Sequence, residues 1–159
     1  MKTFCLAAVM PVVFALLSGP AFAEAGHHHH DGSTAARARL VLNQGQKWQT
    51  DAPLRQGMEA MHSALAGNLH AIHQGKLPAA EYKRLGETVE QAIAGIVAEC
   101  KLSPGADAVL HVLIGEMVTG AAAMTGKTDA PPRAGAHKVV MALNNYGRYF
   151  DHPGWADLK

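Results

Sequence analysis

The sequence predicts an all-α fold, an up-down-up-down antiparallel four-helix bundle with a flexible His-rich N-terminal arm. Three observations carry this expectation. Apolar residues between 50 and 150 recur at steps of three and four, which aligns them on one side of a helix. Capping residues, prolines and glycines divide that pattern into four segments. Two of the three connections are short, and short links set successive helices antiparallel.

The chain ahead of the bundle, "GHHHHDGSTAARAR", has no apolar period and reads as a mobile arm. "LVLNQGQKW" follows as a short lead-in whose Leu40, Leu42 and Trp48 are expected to cover one end of the core. The first helical segment opens at the capping pair Thr50–Asp51, with Pro53 in its first turn. Its stripe is Leu54, Met58, Met61, Leu65, Leu69 and Ile72, and Gly75 is its stop. The second opens at Pro78, with Glu81 favouring the helix N-terminus, and carries Tyr82, Leu85, Val89, Ile93, Ile96 and Cys100. The third is capped by Ser103 before Pro104. It carries Val109, Leu110, Leu113, Ile114, Met117, Ala121 and Met124, and ends at Gly126. After the loop "KTDAPPRAG" the fourth runs from about Ala134 to Phe150, with Val139, Val140, Leu143, Tyr146 and Phe150 inward. Glycines 86, 95, 115 and 120 interrupt helical patterns. Each costs about 1 kcal/mol against alanine, so they serve either close helix approach or space for something bound.

Residues 1–23 read as a secretion signal. Lys2 is followed by the apolar stretch "FCLAAVMPVVFALL" and by "SGPAFA", with cleavage expected after Ala23. The expected location is the periplasm. The expected organisation is 1–23 signal peptide, 24–46 His-rich arm and lead-in, 47–155 bundle, and 156–159 C-terminal tail. Without Lys2 the chain carries 13 basic and 13 acidic residues. That balance lacks the basic patch nucleic acid requires. No second long apolar run is read as a membrane anchor, and a monomer or homodimer is expected. Cys5 leaves with the signal, so Cys100 has no internal disulfide partner and reads as a small core residue.

Enzyme motifs are missing: no GxSxG, HExxH, P-loop or CxxC occurs. A non-enzymatic role is therefore expected. Histidine and methionine are the distinctive side chains. His27, His28, His29 and His30 form a run beside Asp31, near the expected free amine of Glu24. Neutral imidazoles suit copper, zinc and nickel. The competing reading of the run is a solvated spacer. A second donor set is Met58, Met61, His62, His111 and Met117, where thioethers suit Cu(I). Methionines at stripe spacing are also ordinary core filler. His137 and Met141 repeat the four-residue spacing of Met58 and His62, while His70 and His73 read as exposed.

The helix lengths and Met58 in "LRQGMEAM" resemble soluble b-type cytochrome and cytochrome c-prime bundles. That resemblance implies a haem held by a methionine in the first helix and a histidine in the last. In "LNNYGRYF" the matching position is Gly147, and the C-x-x-C-H attachment motif is absent, so no haem is expected. The chain is more closely similar to a family of proteobacterial periplasmic four-helix proteins, through "KWQTDAPLRQGM" (47–58) and "YGRYFDHPGW" (146–155). This resemblance implies location and fold and brings no activity with it. In the second string, Trp155 is expected to turn back onto Trp48 while Asp151 pairs with His152. The result is either an end-cap or a recognition surface exposing Arg55, Arg148, Asp151 and His152.

The leading expectation is a periplasmic protein that binds transition-metal ions, copper first and zinc or nickel after it, with a periplasmic protein as candidate partner. The alternatives are a haem-free interaction or stress-adaptor module, and cytochrome-like electron transfer.

Overall fold

The computed structural model describes residues 39–159. The expected signal peptide, His27–His30 and Asp31 lie outside the described residues. The described chain is all-α apart from one two-residue strand pair. Its helices are α1 (Ala52–Ala66), α2 (Leu69–Gln74), α3 (Ala79–Glu99), α4 (Pro104–Met124) and α5 (Pro132–Tyr149).

The starts of α1 and α4 carry the side-chain caps the sequence specifies, while α5 begins at Pro132, ahead of the expected Ala134. The Asp51 carboxylate accepts from Leu54 N at 3.0 Å, and Ser103 Oγ from Ala106 N at 3.4 Å. Asp51 does more than cap α1, because it also accepts from Lys101 N at 2.6 Å. It thereby ties the start of α1 to the chain leaving α3. Burial pushes its pKa up, but the hydrogen bonds from Lys101, Leu54 and Cys100 outweigh this and hold it below the ordinary carboxyl value.

The first expected segment is broken in two. Asn68 Nδ2 donates to Ala64 O at 3.0 Å, and Asn68 N bonds back only three residues, to Leu65 O. An asparagine side chain that competes for helix carbonyls interrupts the ladder. The stripe survives the break, since Leu69 and Ile72 of α2 are buried. Helices α2 and α4 end at Gly75 and Gly126, both with positive φ (67° and 74°). The N–H of the following residue reaches back to Ala71 O and Ala122 O, satisfying carbonyls at the helix ends.

Every stripe position named above is buried or packs against the core, which spans all five helices. Helix α4 packs broadly on α5, α3 packs on both α1 and α4, and α2 sits against α5. The α4–α5 contact is close because Gly120 and Gly135 face each other. A Cβ at Gly120 would lie 2.6 Å from Gly135 O, and one at Gly135 would strike Gly120 O. Gly86 likewise abuts Ala121 and Met124, whereas Gly95 and Gly115 face open space. Helix α4 is long and apolar enough to cross a membrane by length and composition. Nine of its residues are buried in the described fold.

The lead-in and the C-terminus meet. Strands β1 (Trp48–Gln49) and β2 (Phe150–Asp151) pair in parallel, and Thr50 Oγ1 donates to Asp151 O at 2.7 Å. Leu40 and Trp48 pack against the core as expected, but Leu42 is exposed. Beyond the bundle limit read from sequence, Leu158 is buried. Its backbone N and O are both bound by the Asn144 side chain, at 2.8 and 2.9 Å.

Candidate functional site

The core donor set separates by residue type. Met58, Met61 and Met117 are fully buried in the core cluster. His62 and His111 turn outward to backbone carbonyls, Nε2 of His62 to Ala156 O and Nδ1 of His111 to Asp107 O, each at 2.9 Å. Asp107 Oδ2 also lies 3.4 Å from His111. Met141, one turn after His137, is 67% exposed. It stands on the outer side of α5, because Val140, Ala142 and Leu143 already occupy the inner one. Among the described residues, no group of three or more His, Cys, Asp or Glu side chains is placed to hold a metal ion.

Histidines are brought together in two other places. His73 of α2 and His137 of α5 lie ring to ring, with centroids 5.5 Å apart and planes within 5° of parallel. Arg133, one turn before His137, donates to His73 O at 2.5 Å and anchors the end of α2 on α5. Burial, together with the Arg133 and His73 charges, lowers the pKa of His137 below its ordinary value. His137 and Met141 also line an open, largely apolar groove of about 590 Å³ with Leu40, Val112 and Ala142.

The second cluster is the C-terminal turn. Trp155 folds back as expected, but not onto Trp48. It lies edge-on to Tyr146 (4.8 Å between centroids) and His62 (4.9 Å). Trp48 covers Gly105 instead. Asp151 does not pair with His152, since its carboxylate takes Gln49 Nε2 at 3.3 Å. His152 is buried rather than exposed, with Nδ1 2.9 Å from Tyr146 Oη and Nε2 2.9 Å from Glu59 Oε1. Of the four expected surface residues, Arg55 is half-buried and donates to Thr50, whereas Arg148 and Asp151 are exposed. Burial raises the Tyr146 phenol pKa, so the hydroxyl keeps its proton. The arrangement is a chain from phenol to imidazole to carboxylate, within an end-cap where the buried Trp155 Nε1 has no hydrogen-bond partner.

Gly147 has a structural cause. A Cβ there would collide with the Trp155 ring, lying 2.5 Å from Nε1. The position at which the cytochrome-like pattern would place histidine is filled by tryptophan, so the residues present do not fit axial haem ligation there.

Cys100 is half-buried, with Sγ donating to the Asp51 carboxylate at 3.4 Å. Burial first, then Asp51 and Asp107, push its pKa from 9.0 to about 12. At pH 8 this leaves roughly a thousandth of the thiolate of an unperturbed thiol. Iodoacetamide at pH 8 is therefore expected to spare Cys100 in the folded chain and to modify it in urea, as read by peptide mapping. Modification at equal rates in both conditions would contradict the Asp51 contact.

Sequence reasoning missed both histidine clusters. The turn signal in "DHPGW" placed a histidine at a reversal but not its partner on α1. Nothing in linear spacing pairs His73 with His137. Compared with known proteins, the chain matches no family model, no curated protein and no solved structure.

Proposed function

We propose that this chain is a non-enzymatic periplasmic protein that captures transition-metal ions, copper foremost, through His27–His30 and Asp31, carried on an up-down-up-down four-helix bundle. The observation that carries the reading is the run of consecutive imidazoles itself, a donor type suited to copper, zinc and nickel. The short α2–α3 and α3–α4 connections support the bundle topology. The non-enzymatic reading draws support from His152. Both its ring nitrogens are engaged inside the protein, which leaves no lone pair for substrate. Kinship with the proteobacterial periplasmic family is part of the same proposal.

The second reading, an interaction module, is favoured by the α4–α5 groove and the exposed Met141 beside it.

The test compares the full chain with a variant carrying His27→Ala, His28→Ala, His29→Ala and His30→Ala. Cu(I), Cu(II), Zn(II) and Ni(II) are titrated separately. The four substitutions are expected to remove one bound equivalent, and binding of that equivalent should weaken as pH falls through about 6.5, where free imidazoles protonate. Unchanged stoichiometry and affinity in the variant would overturn the reading.

A further inference from the structure

We propose that residues 34–38 of this chain, "TAARA", dock along the α4–α5 groove, so that the chain covers this surface with its own segment. The inference goes beyond the metal reading and uses none of its donor residues.

The segment lies outside the described residues, and the place where the described chain begins points to the groove. Arg39 is exposed, whereas the next residue, Leu40, packs against the core and lines the groove. Leu40 enters at a defined end. The carbonyl of its neighbour Val41 accepts from Trp48 Nε1 at 2.8 Å, and Trp48 pairs with Phe150, which directly follows α5. The chain ahead of Leu40 therefore starts beside the C-terminal half of α5, with the rest of the groove open in front of it. On α5 the lining runs from Ala134 to Asn145. That is about 17 Å of helix, and about five extended residues cover the same length.

The pattern of the segment matches the floor of the groove. In an extended chain, side chains alternate between two faces. With Leu40 inward and Arg39 outward, Ala38 and Ala36 share the side of Leu40, and Arg37 shares that of Arg39. Small apolar side chains thus meet Val112, Ala134, Met141 and Ala142, while both guanidinium groups keep their water. Glu116 and Lys138, which also line the groove, are paired at 2.6 Å and call for no charged occupant. Asn145 stands half-buried at the entry. Its Oδ1 accepts from Arg148, and among the described residues its Nδ2 has no hydrogen-bond partner, which leaves a donor for a carbonyl of the segment. Attachment at Leu40 gives the segment a local concentration in about the mM range. That favours it over a separate molecule on so open a surface.

The test compares the full chain with two paired variants, Ala36→Asp with Ala38→Asp, and Arg37→Asp with Arg39→Asp. Circular dichroism checks that each is folded. Hydrogen peroxide oxidises accessible thioethers, and oxidation of Met141 is followed by peptide mapping, with the buried Met58, Met61, Met117 and Met124 as internal references. The alanine pair places carboxylates on the groove side and should speed Met141 oxidation several-fold. The arginine pair is a larger change of charge on the outward side and should leave the rate at that of the parent. In the parent, the Met141 methyl should show nuclear Overhauser contacts to the Ala36 and Ala38 methyls. Equal Met141 oxidation in the parent and the alanine pair, or the same acceleration in both pairs, overturns the proposal. Met141 protection that rises with protein concentration also overturns it, because a second copy then fills the groove. None of these results touches the metal reading, because His27–His30 are unchanged in every chain compared.

Discussion

Gly135→Val is expected to destabilise the protein by about 3 kcal/mol or more, the upper part of the range for overpacking. A Cβ at this position would strike Gly120 O and come within 2.8 Å of Ala123 Cβ and 3.2 Å of Met124 N. Two of these three atoms are backbone, so the clash is relieved only by moving α5 off α4. That interface is the broadest between helices in the described fold, so separation would open the centre of the core. In thermal unfolding the loss should appear as a fall in Tm of roughly 10 °C or more. Gly95→Ala is the matched comparison, with the opposite sign. Its Cβ meets nothing within 4 Å, and removing a mid-helix glycine stabilises by about 0.5–1 kcal/mol. A Gly135→Val protein with the parent Tm would show that α4 and α5 are not in this contact.

Gly95 and Gly120 mark the limit of what the linear pattern conveys. Gly95 and Gly120 interrupt helical stripes in the same way, and one faces solvent while the other meets a partner backbone. The stripes were legible because burial follows helical period. Leu54, Met58, Met61 and Leu65 needed no tertiary knowledge to be placed inward. The break at Gly67–Asn68 was not legible, since the same stripe runs through it and Asn68 acts by a side-chain bond rather than by hydropathy. The strand pair escaped for a related reason. Trp48 and Phe150 are distant in sequence, and two residues are too few to carry a period.

The candidate site divides along the same physical line. Met58, Met61 and Met117 were read correctly as stripe residues because hydrophobicity places them. The exposure of His70 and His73 was legible too, but the partner each imidazole finds was not, because a histidine at a stripe edge turns toward whichever acceptor the tertiary fold supplies. His62 is served by Ala156 O from the C-terminal turn. His137 is met by His73 from a helix that exists as a separate element only because of the break at Asn68.

His152→Ala is expected to cost about 3 kcal/mol, chiefly because of what it leaves behind. Glu59 carboxylate can only accept, so in the neutral ring the proton sits on Nε2 and Nδ1 accepts from the Tyr146 hydroxyl. Alanine removes that acceptor while Tyr146 stays fully buried. A buried hydroxyl without a partner costs about 1–3 kcal/mol, and the vacated ring leaves a cavity beside Trp155. Tyr146→Phe should be milder, because it removes the donor and keeps the ring that stacks on Phe150 at 5.1 Å. The two losses should not add. Once His152 is alanine, the Tyr146 hydroxyl is already unpartnered, and deleting it recovers part of the penalty. A double-mutant cycle by urea denaturation should therefore give a coupling of about 1–2 kcal/mol. The single His152→Ala protein should also show red-shifted Trp155 emission and faster proteolysis after residue 150, because the turn loses its bond to Glu59 on α1. Glu59→Gln, which keeps an acceptor for Nε2–H, should leave both readouts close to the parent. If the cycle closes to zero with unchanged proteolysis, Tyr146 and His152 are not coupled, and the C-terminal turn is held by its other contacts, among them Asn144 with Leu158, His62 with Ala156 O and Trp155 against Tyr146.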